Sequence, residues 1–262
     1  MKPIRILTTL LMFAFTATGA QSAPDMSKPK IEFNDFLNSI ENLDFPQSDY
    51  FAETTVKTQH CLHHTASGKG VSGDYHHFLK PGKIATNIIV GHDKVYRLFS
   101  SKNWGYHLGI PELQFAKMKI KYQRLDKICI GTEIDSWGPL KLINGEFVTY
   151  VNDWGKGDKR DKKGNRLKVT VPEKDVVHYA NKFRGYQYYE RYTPFQLDSV
   201  AMLCQYYKEY HGIPINYSDS IWDVNANALK GVPGTYTHAS YRPDKSDCHP
   251  QPELIAMLKS LS

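Results

Sequence analysis

Apolar residues along the chain change their spacing several times, and each spacing predicts a different element. The first run, Ile6 to Ala20, contains no charge. From Phe33 onward Phe33, Phe36, Leu37, Ile40 and Leu43 recur at helical intervals, which predicts a short amphipathic helix against the main body. After Lys57 the spacing becomes strand-like. Residues 58–64 (TQHCLHH), 85–90 (ATNIIV), 94–99 (KVYRLF), 127–134 (KICIGTEI) and 141–151 (KLINGEFVTYV) predict a mixed sheet, with turns near 92–94 and at Gly145-Glu146. The clearest helix start is Thr193-Pro194-Phe195-Gln196, an N-cap, a first-turn proline and a capping-box glutamine. Leu197, Val200, Ala201, Cys204 and Tyr207 form its apolar face, and His211-Gly212 with Pro214 just beyond end it. A last helix from Pro252 carries Leu254, Ile255, Leu258 and Leu261. Strands mixed with helices, without an internal repeat or a Pro/Ser-rich linker, predict a single α/β domain with a central mixed β-sheet flanked by helices.

The first apolar run reads differently once its flanks are considered. Lys2 and Arg5 precede it, it is shorter than the roughly 20 residues of a membrane span, and Thr18, Gly19, Ala20, Ser22 and Ala23 close it. That order predicts a signal peptide over 1–23 and an exported chain, periplasmic or secreted. No cysteine follows the run, so neither a lipid nor a stable membrane anchor is expected. Residues 24–56 then form an N-terminal segment with the short helix, and the main domain occupies 57–262.

The formal net charge is +6, and loss of Lys2 and Arg5 with the leader lowers it to +4. This mild excess suits attraction to an anionic polymer. It is too dispersed for a nucleic-acid binder, and no nucleic acid is expected as a partner. Much of it sits at 156–168 (KGDKRDKKGNRLK), inside a basic insertion at about 140–175 that reads as a solvated, mobile stretch. Cys61, Cys129, Cys204 and Cys248 allow up to two disulfides in an oxidising compartment, with three connectivities for a full set.

Three segments carry candidate chemistry. Leu62-His63-His64-Thr65 closes a predicted strand, whose end gives a histidine a fixed direction and an open side. Such a pair is more often structural, with one ring satisfied by the backbone. Ile130-Gly131-Thr132-Glu133 places a glutamate near the end of an otherwise apolar strand. Thr237-His238 through Asp247-Cys248-His249-Pro250 is a polar loop before the last helix. A catalytic zinc site commonly uses three His or carboxylate ligands and leaves a fourth position for water; His63, His238 and Asp247 supply such a set.

In this order the three segments resemble the zinc amidase family that includes phage lysozyme-type amidases, bacterial muropeptide amidases and animal peptidoglycan recognition proteins. The shared pattern is a His-His-Thr strand end, an Ile-Gly-x-Glu strand, and a late His followed by Lys-x-Asp. Val95 to Phe99, then Trp104-Gly105-Tyr106-His107-Leu108-Gly109, resemble the family's strand and its aromatic-His-x-Gly stretch beside the cleft. Asp135 to Leu140 and Arg184-Gly185 through Tyr192-Thr193-Pro194 resemble a phage-related branch. The likeness spans residues 57–262.

It implies an amidase-like or peptidoglycan-recognition-like fold and a hydrolase that cuts the amide between N-acetylmuramic acid and L-alanine in peptidoglycan. It also implies one Zn2+ per chain and peptidoglycan or muropeptides as partners. Carried over, His63, His238 and Asp247 are the metal ligands, Glu133 is the general base, and Lys245 stabilises developing negative charge. His64 is not a ligand. Bound zinc would polarise the scissile carbonyl and bring its water's pKa towards about 7.

Two positions depart from the family pattern. Cys248-His249-Pro250 stands where Pro-Gly usually follows the acidic ligand, which adds two further ligand types beside Asp247. Thr86-Asn87 replaces an aromatic-His pair, so Asn87 reads as structural. The competing readings are a non-catalytic peptidoglycan-binding protein of the same fold, whose mark would be a broken ligand set, and a cysteine hydrolase using Cys61 or Cys248.

Overall fold

A computed structural model describes residues 33–65, 70–150, 162–164 and 169–262. The expected signal peptide (1–23) and the basic stretch 156–168, apart from 162–164, lie outside the described residues. The architecture is mixed α/β, built on a central mixed sheet with helices.

The central sheet has six strands in the order β1-β4-β3-β5-β2-β11, with β1 (Glu41–Asn42), β2 (Gln59–Thr65), β3 (Ile88–Val90), β4 (Val95–Arg97), β5 (Cys129–Asp135) and β11 (Gly234–Thr237). β11, β2, β5 and β3 run parallel, while β3 and β4 are antiparallel. All seven residues of β5 are buried, as befits a parallel strand covered on both faces. This burial explains why KICIGTEI reads as a nearly continuous apolar run rather than an alternation.

Two helices pack together on one face, α4 (Pro194–His211) and α6 (Pro252–Leu261). α4 starts where the residues predict: the Thr193 hydroxyl accepts from the Gln196 amide, and the Gln196 side chain accepts from the Thr193 amide. Gly212 ends it in the left-handed conformation, at φ 69°. Leu203, Cys204 and Tyr207 of α4 and Leu254, Met257 and Leu258 of α6 meet Leu62, Ile88, Val90, Ile130 and Ile134 of the sheet in one core. The short helices are α1 (Phe33–Ser39), α2 (Val71–Phe78), α3 (Glu112–Lys117) and α5 (Ala226–Leu229).

One expectation is corrected here. The described part of the 141–151 run does not join the central sheet: it forms a hairpin, β6 (Pro139–Ile143) and β7 (Glu146–Val148), that turns beside the expected Gly145-Glu146. Asn144 and Gly145 both adopt positive φ, 52° and 81°, the conformation that closes a tight hairpin and folds the run back on itself. With β8 (Thr170–Val171), β9 (Val176–Phe183) and β10 (Tyr186–Glu190) it forms a second, antiparallel sheet ordered β8-β7-β6-β10-β9. Its core is small: Leu140, Phe147, Val171 and Val176.

The four cysteines are free and buried, so no disulfide staples this fold. Each thiol has a local contact instead, such as Cys204 Sγ with His60 Nδ1 at 3.8 Å and Cys248 Sγ donating to the Tyr192 hydroxyl at 3.1 Å.

Candidate metal centre

Parallel strands deliver their last residues to one edge of a sheet, where open α/β folds place their sites. Here the register sets His63 beside Glu133, and Leu62 beside Thr237. His238 follows directly as the first residue of a 3-10 turn that runs to Ser240. The chain then loops out and returns so that Asp247 accepts the Ala239 amide on its backbone carbonyl at 3.0 Å. This loop closure brings the Asp247 carboxylate to the two rings. Asp247 Oδ2 lies 2.7 Å from His238 Nδ1 and 3.5 Å from His63 Nδ1, and the ring centroids are 4.4 Å apart. One ligand atom from each of the three residues lies within 4.8 Å of the others.

The hydrogen bonds around the rings set their orientation. His238 Nε2 sits 2.9 Å from the Leu108 carbonyl and donates to it, which turns Nδ1 inward towards the Asp247 carboxylate. His107 Nε2 lies 3.4 Å from the Cys129 carbonyl and its Nδ1 3.0 Å from His63 Nε2. This contact turns His63 Nδ1 inward. Burial, with His238 beside it, holds His63 well below the usual histidine range, so the ring is neutral at pH 7. Two inward ring nitrogens and a carboxylate, brought together from separate segments, converge on one point, and this donor set fits Zn2+. His107 thus fixes the orientation of the His63 ring. It rests on Gly131, where an added Cβ would come within 3.1 Å of the ring; that contact is a physical reason for glycine in the Ile-Gly-x-Glu segment.

Asp247 is pushed up by burial, but the charge and hydrogen bond of His238, with His63, more than offset this and hold it well below the usual carboxylate range. Glu133 behaves oppositely. Burial first, then the neighbouring Asp247 and Asp74, raise it well above that range, while Lys245 partly opposes them.

The extra ligand types after Asp247 point elsewhere. Cys248 Sγ donates to the Tyr192 hydroxyl, and burial pushes its thiol up. His249 Nε2 donates to the Glu190 carbonyl at 3.0 Å, and its Nδ1 accepts from the Tyr179 hydroxyl at 2.7 Å. His64 turns to the helix face, with Nδ1 2.7 Å from the Tyr192 hydroxyl. Asn87 ties a turn together: Nδ2 donates to the Ser100 carbonyl at 3.0 Å and Oδ1 accepts from Gly131 N at 3.1 Å. Cys61 is also fully buried, with its thiol raised by burial, so neither cysteine considered as a nucleophile has an open face or a ready thiolate.

The supporting groups His107, Tyr192, Tyr179 and Arg184 had no assigned role in the sequence reading. Arg184, at the β9–β10 turn, donates to the Pro243 carbonyl at 2.9 Å and the Ala239 carbonyl at 3.2 Å, and Tyr189 stacks on His249 at 4.6 Å. The second sheet thereby braces the loop that carries His238 and Asp247.

No family model and no curated protein matches the chain. Among solved structures it is similar to PlyL at 10% identity, over 84% of this chain and 96% of that one, with a TM-score of 0.44. It is similar to a selenomethionine derivative of AmpD at 11% identity, over 88% and 98%, with a TM-score of 0.43. A third is the endolysin N-acetylmuramoyl-L-alanine amidase LysCS from Clostridium intestinale, at 11% identity over 84% and 95%, with a TM-score of 0.38.

Proposed function

We propose that this chain is a zinc-dependent N-acetylmuramoyl-L-alanine amidase, acting on peptidoglycan or muropeptides after export, with residues 57–262 as the catalytic domain. The observation that carries this reading is the convergence of His63, His238 and Asp247 beside a buried Glu133 on the neighbouring strand. The ordered motif likeness supports the same reading from the residues alone.

In this reading His63 Nδ1, His238 Nδ1 and Asp247 Oδ2 hold one Zn2+. When bound, zinc supplies a Lewis acid that polarises the scissile carbonyl and acidifies a water. Glu133, buried on the neighbouring strand, accepts the attacking water's proton and returns it to the leaving amine. Lys245 meets the negative charge that develops on the former carbonyl oxygen. His107 keeps the His63 ring oriented. The electrons of the broken C–N bond leave with the amine nitrogen, which takes the proton held by Glu133.

Mass spectrometry of digested peptidoglycan tests this. The expected products are stem peptides with a free L-Ala amine and glycan bearing free lactyl carboxylates, with activity lost to a chelator and restored by zinc. Cleavage of a sugar–sugar or peptide–peptide bond would refute the reading. Binding without any cleavage would convert the chain into a peptidoglycan-binding protein of the same fold.

A further inference from the structure

The metal cluster uses one face of the central sheet; the other face holds a cavity of about 190 Å3 with no role in the chemistry above. Side chains alternate across a strand. Ile88 is level with Thr132 and faces α4, whereas His63 and Glu133 face the cluster. Ile88 and Leu203 of α4 form the apolar floor of this cavity, and Arg97, Lys102, Tyr206 and Tyr210 are among its walls.

Its lining holds two cations and no carboxylate. Arg97 is half-buried, and its guanidinium makes a long side-chain hydrogen bond to Asn42 Oδ1, 3.4 Å. Among the described residues no carboxylate lies within ion-pair reach of it. A guanidinium removed from water without a counter-charge is costly, and its planar fork is shaped for a carboxylate. Beside it Tyr206 and Tyr210 stack at 5.3 Å with 13° between their planes, and Lys102 Nζ lies 5.5 Å from the Tyr210 ring centre. Tyr210 is 52% exposed. A guanidinium with no carboxylate partner among the described residues, over apolar side chains and beside a stacked tyrosine pair, matches a ligand with a carboxylate on an amphipathic ring. The volume equals roughly six waters at about 30 Å3 each, which is room for one sugar ring.

We propose that this cavity is a second saccharide site that takes a carboxylate-bearing sugar of the peptide-stripped glycan. The assignment rests on the amidase reading, since cleavage at the lactyl amide leaves a free lactyl carboxylate on each muramic acid it strips. Product strands would then hold the enzyme beside uncut substrate.

Calorimetric titration of the zinc-loaded full chain with N-acetylmuramic acid and with N-acetylglucosamine tests this directly, because the second sugar lacks the lactyl carboxylate. The acidic sugar is expected to bind at least about ten-fold more tightly, as one charge-assisted hydrogen-bond pair confers. Arg97→Gln should lower that affinity about ten-fold and leave hydrolysis of a soluble muropeptide unchanged, which also shows the variant is folded. Lys102→Gln, at an exposed position, should lower it less. His63→Ala should keep the binding.

The proposal is overturned if the two sugars bind alike, if the acidic sugar does not bind, or if Arg97→Gln leaves its affinity intact. It is equally overturned if inorganic phosphate displaces the acidic sugar at matched concentration, or if His63→Ala abolishes binding, which would put the sugar in the metal cleft. Wall hydrolysis measured on the same sample separates the two readings. Hydrolysis without sugar binding defeats this site alone; sugar binding without hydrolysis upholds the site and defeats the amidase assignment.

Discussion

Strand β2 carries three histidines, and the sheet sends them to two different environments. His60 and His64 face the helices, where each is satisfied by neutral partners: His60 Nε2 is 2.9 Å from the Thr132 hydroxyl, with Cys204 and Tyr207 around it, and His64 meets Tyr192. His63, on the other face, meets a carboxylate and two more histidines. All three are buried. Burial therefore does not separate His63 from His60 and His64; what separates them is that His63 alone converges with another ring nitrogen and a carboxylate. A one-residue change of register would exchange the two sets, so the pairing of β2 with β5 and β11 is what assigns chemistry to His63.

The hardest test of this contrast strikes the cluster itself. Wild-type protein is expected to carry one zinc per chain by elemental analysis. Asp247→Ala should lose both metal and activity, since removing one of three protein ligands leaves two rings with no anionic partner. Cys248→Ser should keep its zinc, because the Cys248 thiol is turned to Tyr192 on the helix side. If Cys248→Ser is metal-free while Asp247→Ala retains metal, the ligand assignment is wrong.

Glu133→Ala comes next in size. It should keep zinc and lose on the order of 10² to 10⁴ in turnover, the usual contribution of a positioned acid/base group. Zinc content and wall hydrolysis measured together decide the outcome: loss of zinc would make Glu133 a ligand, and normal turnover would remove it from the mechanism. Lys245→Ala should follow the same pattern, with a larger deficit in kcat than in KM.

His63 and Glu133 were legible because each lies near a strand end, where a polar residue breaks an apolar run. The His238 to Asp247 loop was legible as a polar stretch before the last helix whose late His and Lys-x-Asp follow the other two motifs in order. The α4 boundary was legible for another reason, since a capping box is a purely local device. The second sheet was not. β9 (VVHYANKF) is mostly exposed after its first two residues, so it lacks an alternation strong enough to mark a strand, and β11 (GTYT) is four residues without a single aliphatic side chain. His107 escaped assignment because its role depends on Gly131 and Cys129, over 20 positions away, and no local spacing reports such a contact. No disulfide forms among the four cysteines, and Cys204 and Cys248 are turned to His60 and Tyr192.

The helix face can be probed through acid stability. Burial, with a smaller contribution from His107, lowers His60 to about 3. Unfolded, the ring titrates near its ordinary value of about 6.5 and takes up a proton that the folded ring refuses. Stability linked to His60 is therefore complete above about pH 6.5 and declines as pH falls towards 3. Between pH 7 and pH 4 the loss should be on the order of 3 kcal/mol. His60→Gln can keep a hydrogen bond to Thr132 but cannot titrate, so denaturation midpoints should fall less steeply over that range than in the wild type. Equal slopes would refute the neutral, buried state of His60. A reduced slope need not vanish, because His64 is also depressed by burial, to about 4.

Tyr192 joins the two faces and should give the smallest effect. Its hydroxyl receives the Cys248 thiol at 3.1 Å and the His249 amide at 3.1 Å, and lies 2.7 Å from His64 Nδ1. It thus holds the two residues that follow Asp247 without touching the cluster. Tyr192→Phe preserves the ring and its packing while leaving these buried groups without that partner, which should cost about 1–3 kcal/mol of stability. Because the loop is also held by Ala239, Arg184 and Tyr179, Asp247 should stay in place, and zinc affinity should fall far less than in Asp247→Ala. Denaturant midpoints and zinc competition titrations on the one variant read these quantities separately. Unchanged stability with lost zinc would mean that Tyr192 belongs to the metal centre and not to its support, and the division of labour between the two faces would then be wrong.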